Sequence, residues 1–127
     1  MIKKKSLSYY KKKLDAIFSK YIRARDKYIC YTCNRQCDKW SSQNGHFVPR
    51  QYLKTRWDER NNHCQCYACN MLHNGQPSRY AQRLREDFGD GIIDELEANR
   101  GIPIKLEVEW YLDKIKYYEE EFKKIEN

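Results

Sequence analysis

The chain has 127 residues, 40% of them hydrophobic and 34% charged, which is enough for one domain with a modest core and too little for two. No stretch approaches the roughly 20 apolar residues of a membrane span, and no export-signal pattern is seen, so we expect a soluble, cytoplasmic protein with no membrane partner. The net charge of +7 divides into +8 over residues 1–27, +3 over 28–93 and −4 over 94–127, which favours a nucleic-acid partner, although lysine runs also serve only to solubilise a helix.

The two ends of the chain are predicted to be helical. Apolar residues recur at steps of three and four over residues 6–27, which predicts an amphipathic helix. Pro77 near a first turn and Gly89 just past an end predict a helix over 77–88. A short helix is expected around Ile92, Ile93 and Leu96, and a long final helix over 105–124.

The centre of the chain, residues 28–76, loses this period and holds all six cysteines and all three histidines. The segments "CYTC" at 30–33 and "CYAC" at 66–69 are two Cys-x-x-Cys pairs, a spacing at which a tight turn aims two thiolates at one tetrahedral ion. Because intracellular thiols are reduced and four thiolates select zinc, we predict a structural zinc ion on Cys30, Cys33, Cys66 and Cys69.

Two further cysteines leave the ligand set open. Cys37 and Cys64 are either substitute ligands or small core residues. The 32 residues between Cys33 and Cys66 also exceed the length found between the pairs of a simple zinc ribbon. An insert therefore separates the two pairs.

The insert carries "GHFVPR" at 45–50 and "TRWDERNN" at 55–62, and Asn70 directly follows the last cysteine. This order of His46, Asn61 and Cys-x-x-Cys-Asn resembles the HNH signature of His-Me finger endonucleases. Together with "GIIDEL" at 91–96, these segments resemble the NinG/Rap recombination endonucleases of lambdoid phages, over about Leu14 to Lys116. The zinc-bearing arrangement also resembles the endonuclease VII type of junction resolvase.

This resemblance implies a fold and an activity. The fold is α+β: one domain over residues 1–127, with a treble-clef-like zinc core and a ββα (HNH) insert flanked by N- and C-terminal helices. The activity is metal-dependent cleavage of branched DNA, such as the Holliday junction, in phage-type recombination inside the bacterial host cell. Two rival interpretations are a zinc-dependent DNA-binding module without catalysis and an HNH nickase of linear duplex.

The resemblance also assigns roles to residues. His46 is the general base, which suits an imidazole that is mostly neutral at cellular pH. Asn61 is a positioning residue, and Asn70 is a ligand of a catalytic Mg²⁺ or Mn²⁺ ion, with His73 as a second ligand or phosphate contact. Gly45 departs from endonuclease VII, which has an aspartate there, so the ligand shell of the catalytic ion stays open.

Bland interpretations compete with each of these roles. His46 and His63 are also candidates for structural histidines, and Asn61 and Asn62 for turn caps. Four basic residues flank the insert as candidate phosphate contacts, or as a solvated surface: Arg50, Lys54, Arg56 and Arg60.

The first and last helices each carry a hydrophobic seam. The seams comprise Leu7, Tyr10, Leu14, Ile17 and Tyr21 in the first helix, and Val108, Tyr111, Ile115, Tyr118, Phe122 and Ile125 in the last. One helix is basic and the other acidic, so they are complementary partners within one chain or between two. We expect a homodimer, because symmetric two-strand cutting needs two sites.

Overall fold

The computed structural model describes residues 5–126 and mixes α and β elements in one small domain. The helices are α1 (Leu7–Arg25), α2 (Leu53–Arg56), α3 (Pro77–Phe88), α4 (Ile92–Arg100) and α5 (Val108–Glu126). The strands are β1 (Gln43–His46) and β2 (Asn62–Gln65), with a 3₁₀ turn at Glu59–Asn61 and a single π-helical turn at Ala68–Leu72.

Local signals explain where α1 and α3 begin and end. The Ser6 hydroxyl accepts a hydrogen bond from the Tyr9 N–H and so caps α1, which stops before Lys27 and Tyr28 adopt positive φ angles of 55° and 59°. Helix α3 spans the predicted residues, with proline in its first turn and Gly89 at its C-cap.

The final helix begins three residues later than predicted, at Val108 rather than residue 105. Residues 102–107 have no regular structure. Pro103 disfavours helix at the residue before it, and Leu106 packs outside the helix against the first hydrophobic core. Helix α5 therefore begins only after this irregular segment.

The two helical seams pack against each other within one chain. Their shared core is centred on Phe18 of α1 and Tyr118 of α5, whose rings meet edge to face at 4.8 Å. The other buried members are Leu14, Ile22, Trp57, Tyr111 and Ile115. This is the intrachain alternative that the sequence left open, so the seams no longer support a dimer, which stays a prediction.

Strands β1 and β2 form a two-stranded antiparallel sheet in which His46 faces Asn62 and Gln43 faces Gln65. The sheet packs on α1. A second core is formed by α3, α4, the loop that follows β1 and a residue of the first cysteine pair. That core consists of Tyr31, Val48, Tyr80, Leu84, Ile92 and Leu96.

Among the helices of residues 5–126, none combines the length and apolar character needed to cross a bilayer.

Candidate functional site

The four predicted zinc ligands converge. The Sγ atoms of Cys30, Cys33, Cys66 and Cys69 all lie within 4.8 Å of one another, and those of Cys33 and Cys66 are 3.8 Å apart. Two thiolates on a tetrahedral zinc ion with Zn–S bonds of about 2.3 Å are separated by about 3.8 Å. The cluster can therefore hold a zinc ion with little rearrangement.

Backbone turns aim these thiols. In the first pair, Asn34 takes a positive φ of 63°, and its N–H donates to the Cys30 carbonyl at 2.8 Å. In the second pair, the Cys69 N–H donates to Cys66 Sγ at 3.4 Å. The hydrogen bond in the first pair fixes the turn, and the N–H to sulfur bond in the second pair stabilises the Cys66 thiolate.

The protein environment divides the charge among the thiols. Desolvation on burial, followed by the neighbouring thiols of Cys30 and Cys66, raises the pKa of Cys33 to about 12. At Cys30 the same burial is outweighed by the Thr32 hydroxyl and by backbone N–H groups, which lower the pKa of this thiol to about 6. Cys30 is thus the first of these two thiols to ionise.

The two remaining cysteines lie outside this set. Among residues 5–126, the group of thiols within bonding reach of one ion does not include Cys37 or Cys64. Cys64 is buried in β2, and burial raises the pKa of its thiol above the ordinary value. A buried thiol of this kind behaves as a small core residue.

His46, at the end of β1, lines an open cleft of about 300 Å³. The other lining residues are Asp15, Ser19, Arg23, Ser42, Gln43, Asn44 and Arg50. Burial lowers the pKa of His46 to about 4; Asp15 opposes this shift, while the charges of Arg50 and Arg56 add to it. The imidazole is therefore neutral at cellular pH.

Asn61 fixes the loop that follows His46. Its buried side chain accepts a hydrogen bond from the Val48 N–H at 2.7 Å, and donates to the carbonyls of Val48 at 3.0 Å and Thr55 at 3.2 Å. The neighbouring Asn62 donates to the carbonyls of Arg56 and Asp58 at 3.1 and 2.7 Å. Both asparagines hold loop backbone, so neither is free to contact substrate.

Gly45 leaves no room for a side chain. A Cβ atom at this position would lie 1.8 Å from Gln65 Oε1, so the aspartate of the endonuclease VII pattern does not fit here. The amide of Gln65 donates to Thr32 Oγ1 at 3.0 Å and to the Gly75 carbonyl at 2.9 Å, linking β2 to the first cysteine pair and to the turn that follows the second. The Gln65 side chain thus occupies the space that an aspartate at position 45 would need, and its amide holds the two neighbouring turns in place.

Asn70 is tied to the cleft by Gln43. The Asn70 amide group donates to Gln43 Oε1 at 2.7 Å, and Gln43 itself lines the cleft beside His46. Within residues 5–126, Asn70 Oδ1 accepts no hydrogen bond, so this oxygen is available to a hard cation. His73 is exposed at the end of the π-helical turn and is not one of the cleft-lining residues.

The four basic residues differ in what they can contact. Arg50 is exposed on the His46 cleft and forms no ion pair within residues 5–126. Lys54 is also exposed, but it lines a separate groove beside Trp57 and Trp110. The remaining two cations have acidic partners in the fold.

Arg56 and Arg60 serve the fold first. Arg56 donates from Nε to Asp15 at 3.2 Å, and the same carboxylate accepts the Trp57 indole N–H at 3.0 Å. Arg60 pairs with Asp58 at 3.0 Å and with Glu95 at 2.9 Å. Of the four predicted phosphate contacts, Arg50 is the one positioned at the cleft.

His63 takes the structural alternative. It is buried, stacks on the Tyr31 ring at 3.8 Å, and its Nδ1 lies 3.1 Å from the Tyr80 hydroxyl. That hydroxyl also donates to the Gly45 carbonyl at 2.7 Å. Through Tyr80, His63 thus helps to hold the end of β1 in place.

Several cleft residues were not predicted from the sequence. Asp15 and Arg23 come from α1, and Gln43 comes from β1. No local pattern marks them, because a lone acid in a basic helix and a glutamine in a short polar strand look like ordinary surface residues. Only the packing of α1 on the sheet brings them to the site.

Comparison with known proteins identifies relatives. A family model described as "NinG: Bacteriophage Lambda NinG protein" matches residues 1–127. Proteins named "Protein ninG" from Escherichia phage 933W and Salmonella phage P22 are each 32% identical over 98 residues, and that of Escherichia phage lambda is 31% identical over 98 residues.

These matches cover 75% of this chain but only 47–48% of each relative. The chain thus spans about half the length of the curated relatives that it matches. No solved structure matches it.

Proposed function

The chain belongs to the NinG family of lambdoid phage proteins, and from its site we propose that it is a metal-dependent, structure-specific endonuclease that cuts branched DNA. Holliday junctions or related branches are the substrate class, recombination in the host cytoplasm is the setting, and the chemistry is HNH-type phosphodiester hydrolysis.

One observation carries the proposal: a neutral histidine lines an open polar cleft, and a buried asparagine locks the loop behind it. His46 has a lowered pKa because desolvation disfavours its charged form, and the Asn61 clasp on Val48 restrains the backbone two residues away. Phosphodiester hydrolysis needs a base for the attacking water and rigid positioning of that base. The order of strand, strand and helical turn also agrees with the expected ββα unit.

The residues of the cleft have separate roles in this reaction. His46 takes the proton from the attacking water. Arg50 contacts a phosphate oxygen and helps to neutralise the charge that builds up on it. Asn61 acts only through the loop and is a positioning residue.

A hard cation fits this donor set only when the substrate contributes. Asn70 Oδ1 is one protein oxygen, Gly45 excludes a carboxylate, and Mg²⁺ commonly keeps several waters and binds substrate phosphate. When bound, Mg²⁺ or Mn²⁺ would stabilise the charge on phosphate and leaving oxygen. Asn70 would hold the ion, while Gln43 fixes the amide so that its oxygen points away from the hydrogen bond.

A DNA-binding module without catalysis is the second candidate. It is favoured by the lack of an acidic residue at position 45, where Gln65 fills the space that a side chain would need. In that case the zinc cluster and the basic α1 would bind DNA that His46 does not cut.

The test uses a labelled four-way junction and a linear duplex of matched sequence, each incubated with the protein and Mg²⁺. The proposal expects cuts near the branch and little cutting of the duplex. Binding without cutting would establish the second candidate, and equal cutting of both DNAs would establish a nickase. Light scattering of the junction complex tests the expected homodimer: one chain per fully resolved junction would exclude it.

A further inference from the structure

Trp40 has the largest exposed fraction, 85%, of any large hydrophobic side chain in residues 5–126. It lies in the loop between the first cysteine pair and β1. Exposing an indole costs free energy that burial would recover, so an indole held in solvent is unusual and suggests a binding role.

Hydrogen bonds hold the loop that presents this indole. The Trp40 N–H donates to Asp38 Oδ1 at 2.7 Å, and the Ser42 hydroxyl donates to the Lys39 carbonyl at 3.2 Å. From α1, the Arg23 guanidinium donates to that same carbonyl at 3.2 Å and to the Ser42 carbonyl at 3.4 Å. The exposure of Trp40 is therefore built into a braced loop.

Trp40 lines a groove of about 460 Å³, which we call the Trp40 groove, and which is rich in cations and aromatic rings. Its other lining residues are Lys20, Arg23, Tyr28, Lys39 and Phe122. Within residues 5–126, the side chains that line the groove are bonded to one carboxylate, that of Glu126, which pairs with Lys39 at 3.3 Å and accepts the Tyr28 hydroxyl at 3.0 Å. Lys20 and Arg23 form no ion pair within residues 5–126, so the groove retains positive charge.

The Trp40 groove adjoins the His46 cleft, because Arg23 lines both. A DNA strand whose phosphate lies in the cleft can therefore continue along Arg23 into the groove. Aromatic rings beside cations form the usual platform for single-stranded nucleic acid, where bases stack on the rings and phosphates contact the cations. Base-paired duplex keeps its base faces covered, whereas a branch point uncovers them.

We propose that Trp40 stacks on an unstacked nucleobase at a DNA branch point, with Lys20 and Arg23 contacting the flanking phosphates. This inference rests on the proposed function, and it identifies the residue that distinguishes branched DNA from duplex. Stacking contributes only when a free base face is available, so Trp40 raises affinity for branched DNA alone. The cations contribute to every DNA, because phosphates are the same in both.

The experiment measures binding of the full chain, without added divalent cation, to a forked duplex with 2-aminopurine in the unpaired arm beside the branch. A fully paired duplex of the same sequence is the reference. Stacking quenches 2-aminopurine, so wild-type protein is expected to quench it and to bind the fork more tightly. Trp40→Ala should weaken fork binding by roughly 5- to 100-fold, abolish the quenching and leave duplex binding unchanged.

Three variants control this result. Trp40→Phe should retain part of the quenching, because a smaller ring still stacks. Lys20→Gln should weaken fork and duplex equally, as loss of a phosphate contact does. Tyr117→Ala removes an aromatic residue that is 46% exposed outside the Trp40 groove, and it should change neither.

Trp40→Ala protein that still prefers and quenches the fork would overturn the inference, as would wild-type protein with no preference for the fork. Cleavage is not measured in this experiment. If Trp40 governs fork binding while the wild-type protein cuts no DNA, the inference holds and the proposed nuclease fails. If junctions are cut while Trp40→Ala binds the fork like wild type, the nuclease holds and the inference fails.

Discussion

The side chain of Asn61 clasps the backbone of Val48 in both directions, accepting from its N–H at 2.7 Å and donating to its carbonyl at 3.0 Å. Both residues are completely buried. These hydrogen bonds join the two ends of the long connection between β1 and β2, two residues after His46. One asparagine therefore couples the folding of the insert to the position of His46, the proposed base.

Replacing Asn61 by alanine should destabilise the protein and reduce cleavage together. The change leaves the buried Val48 N–H and the buried Val48 carbonyl without partners, at about 1–3 kcal/mol per group, whereas the Thr55 carbonyl keeps the Asp58 N–H as a donor. We expect a loss of about 3 kcal/mol in the free energy of unfolding, measured by urea denaturation. Asn99→Ala, which removes an exposed amide in α4, is the control and should change this free energy little.

The contact between Gly45 and Gln65 predicts a coupled pair of substitutions. Gly45→Ala should displace the Gln65 amide and break its bonds to Thr32 and Gly75, because the new Cβ would lie 1.8 Å from Oε1. Gln65→Ala removes both the amide and the clash. A double-mutant cycle should thus show Gly45→Ala to be several times less costly in the Gln65→Ala background. Equal costs in the two backgrounds would contradict the steric account.

Loss of a zinc ligand should unfold the core. Cys66→Ser leaves three thiols in the cluster, and the free energy of zinc binding is part of the folding free energy in small metal domains. We expect less than one zinc ion per chain by elemental analysis, and loss of the cooperative thermal transition. Cys37 lies outside the cluster, so Cys37→Ser should keep one zinc ion per chain and the cooperative thermal transition. A well-folded, zinc-free Cys66→Ser protein would show that the cluster is not structural.

His63 should make stability depend on pH. Burial, followed by the charges of Arg25 and Arg83, lowers its pKa to about 3, against about 6.5 in the unfolded chain. Between these two pKa values His63 is protonated in the unfolded chain but not in the folded one. The contribution of His63 to the free energy of unfolding is therefore full above about pH 6.5 and is lost as the pH falls toward 3. Urea unfolding at pH 7 and pH 5 should show a smaller drop for His63→Gln than for wild type, and equal drops would contradict this.

The sequence predicted what depends on local patterns. The two cysteine pairs predict the cluster. The hydrophobic period predicts α1, and a proline near the start and a glycine at the end predict α3. The His46 and Asn61 positions were found by resemblance to a motif. The cleft around them needed tertiary structure, because Asp15 and Arg23 reach it only when α1 packs on the sheet.

Two further points required coordinates. Whether a basic side chain is free to contact DNA depends on acids that are distant in the sequence. Arg56, for example, is paired with Asp15. The choice of partner for a hydrophobic seam is likewise invisible in its period, since the pattern is the same whether α5 packs on its own α1 or on another chain.

If His46 is the base of a nuclease, its removal should greatly slow cutting without loss of zinc or of DNA binding. Cleavage of a labelled four-way junction with Mg²⁺ is compared between wild type and His46→Ala, with zinc content and junction affinity measured on the same preparations. The account predicts that His46→Ala binds zinc and junction like wild type while cutting roughly 10²- to 10⁴-fold more slowly. Near-normal cutting by His46→Ala would contradict it.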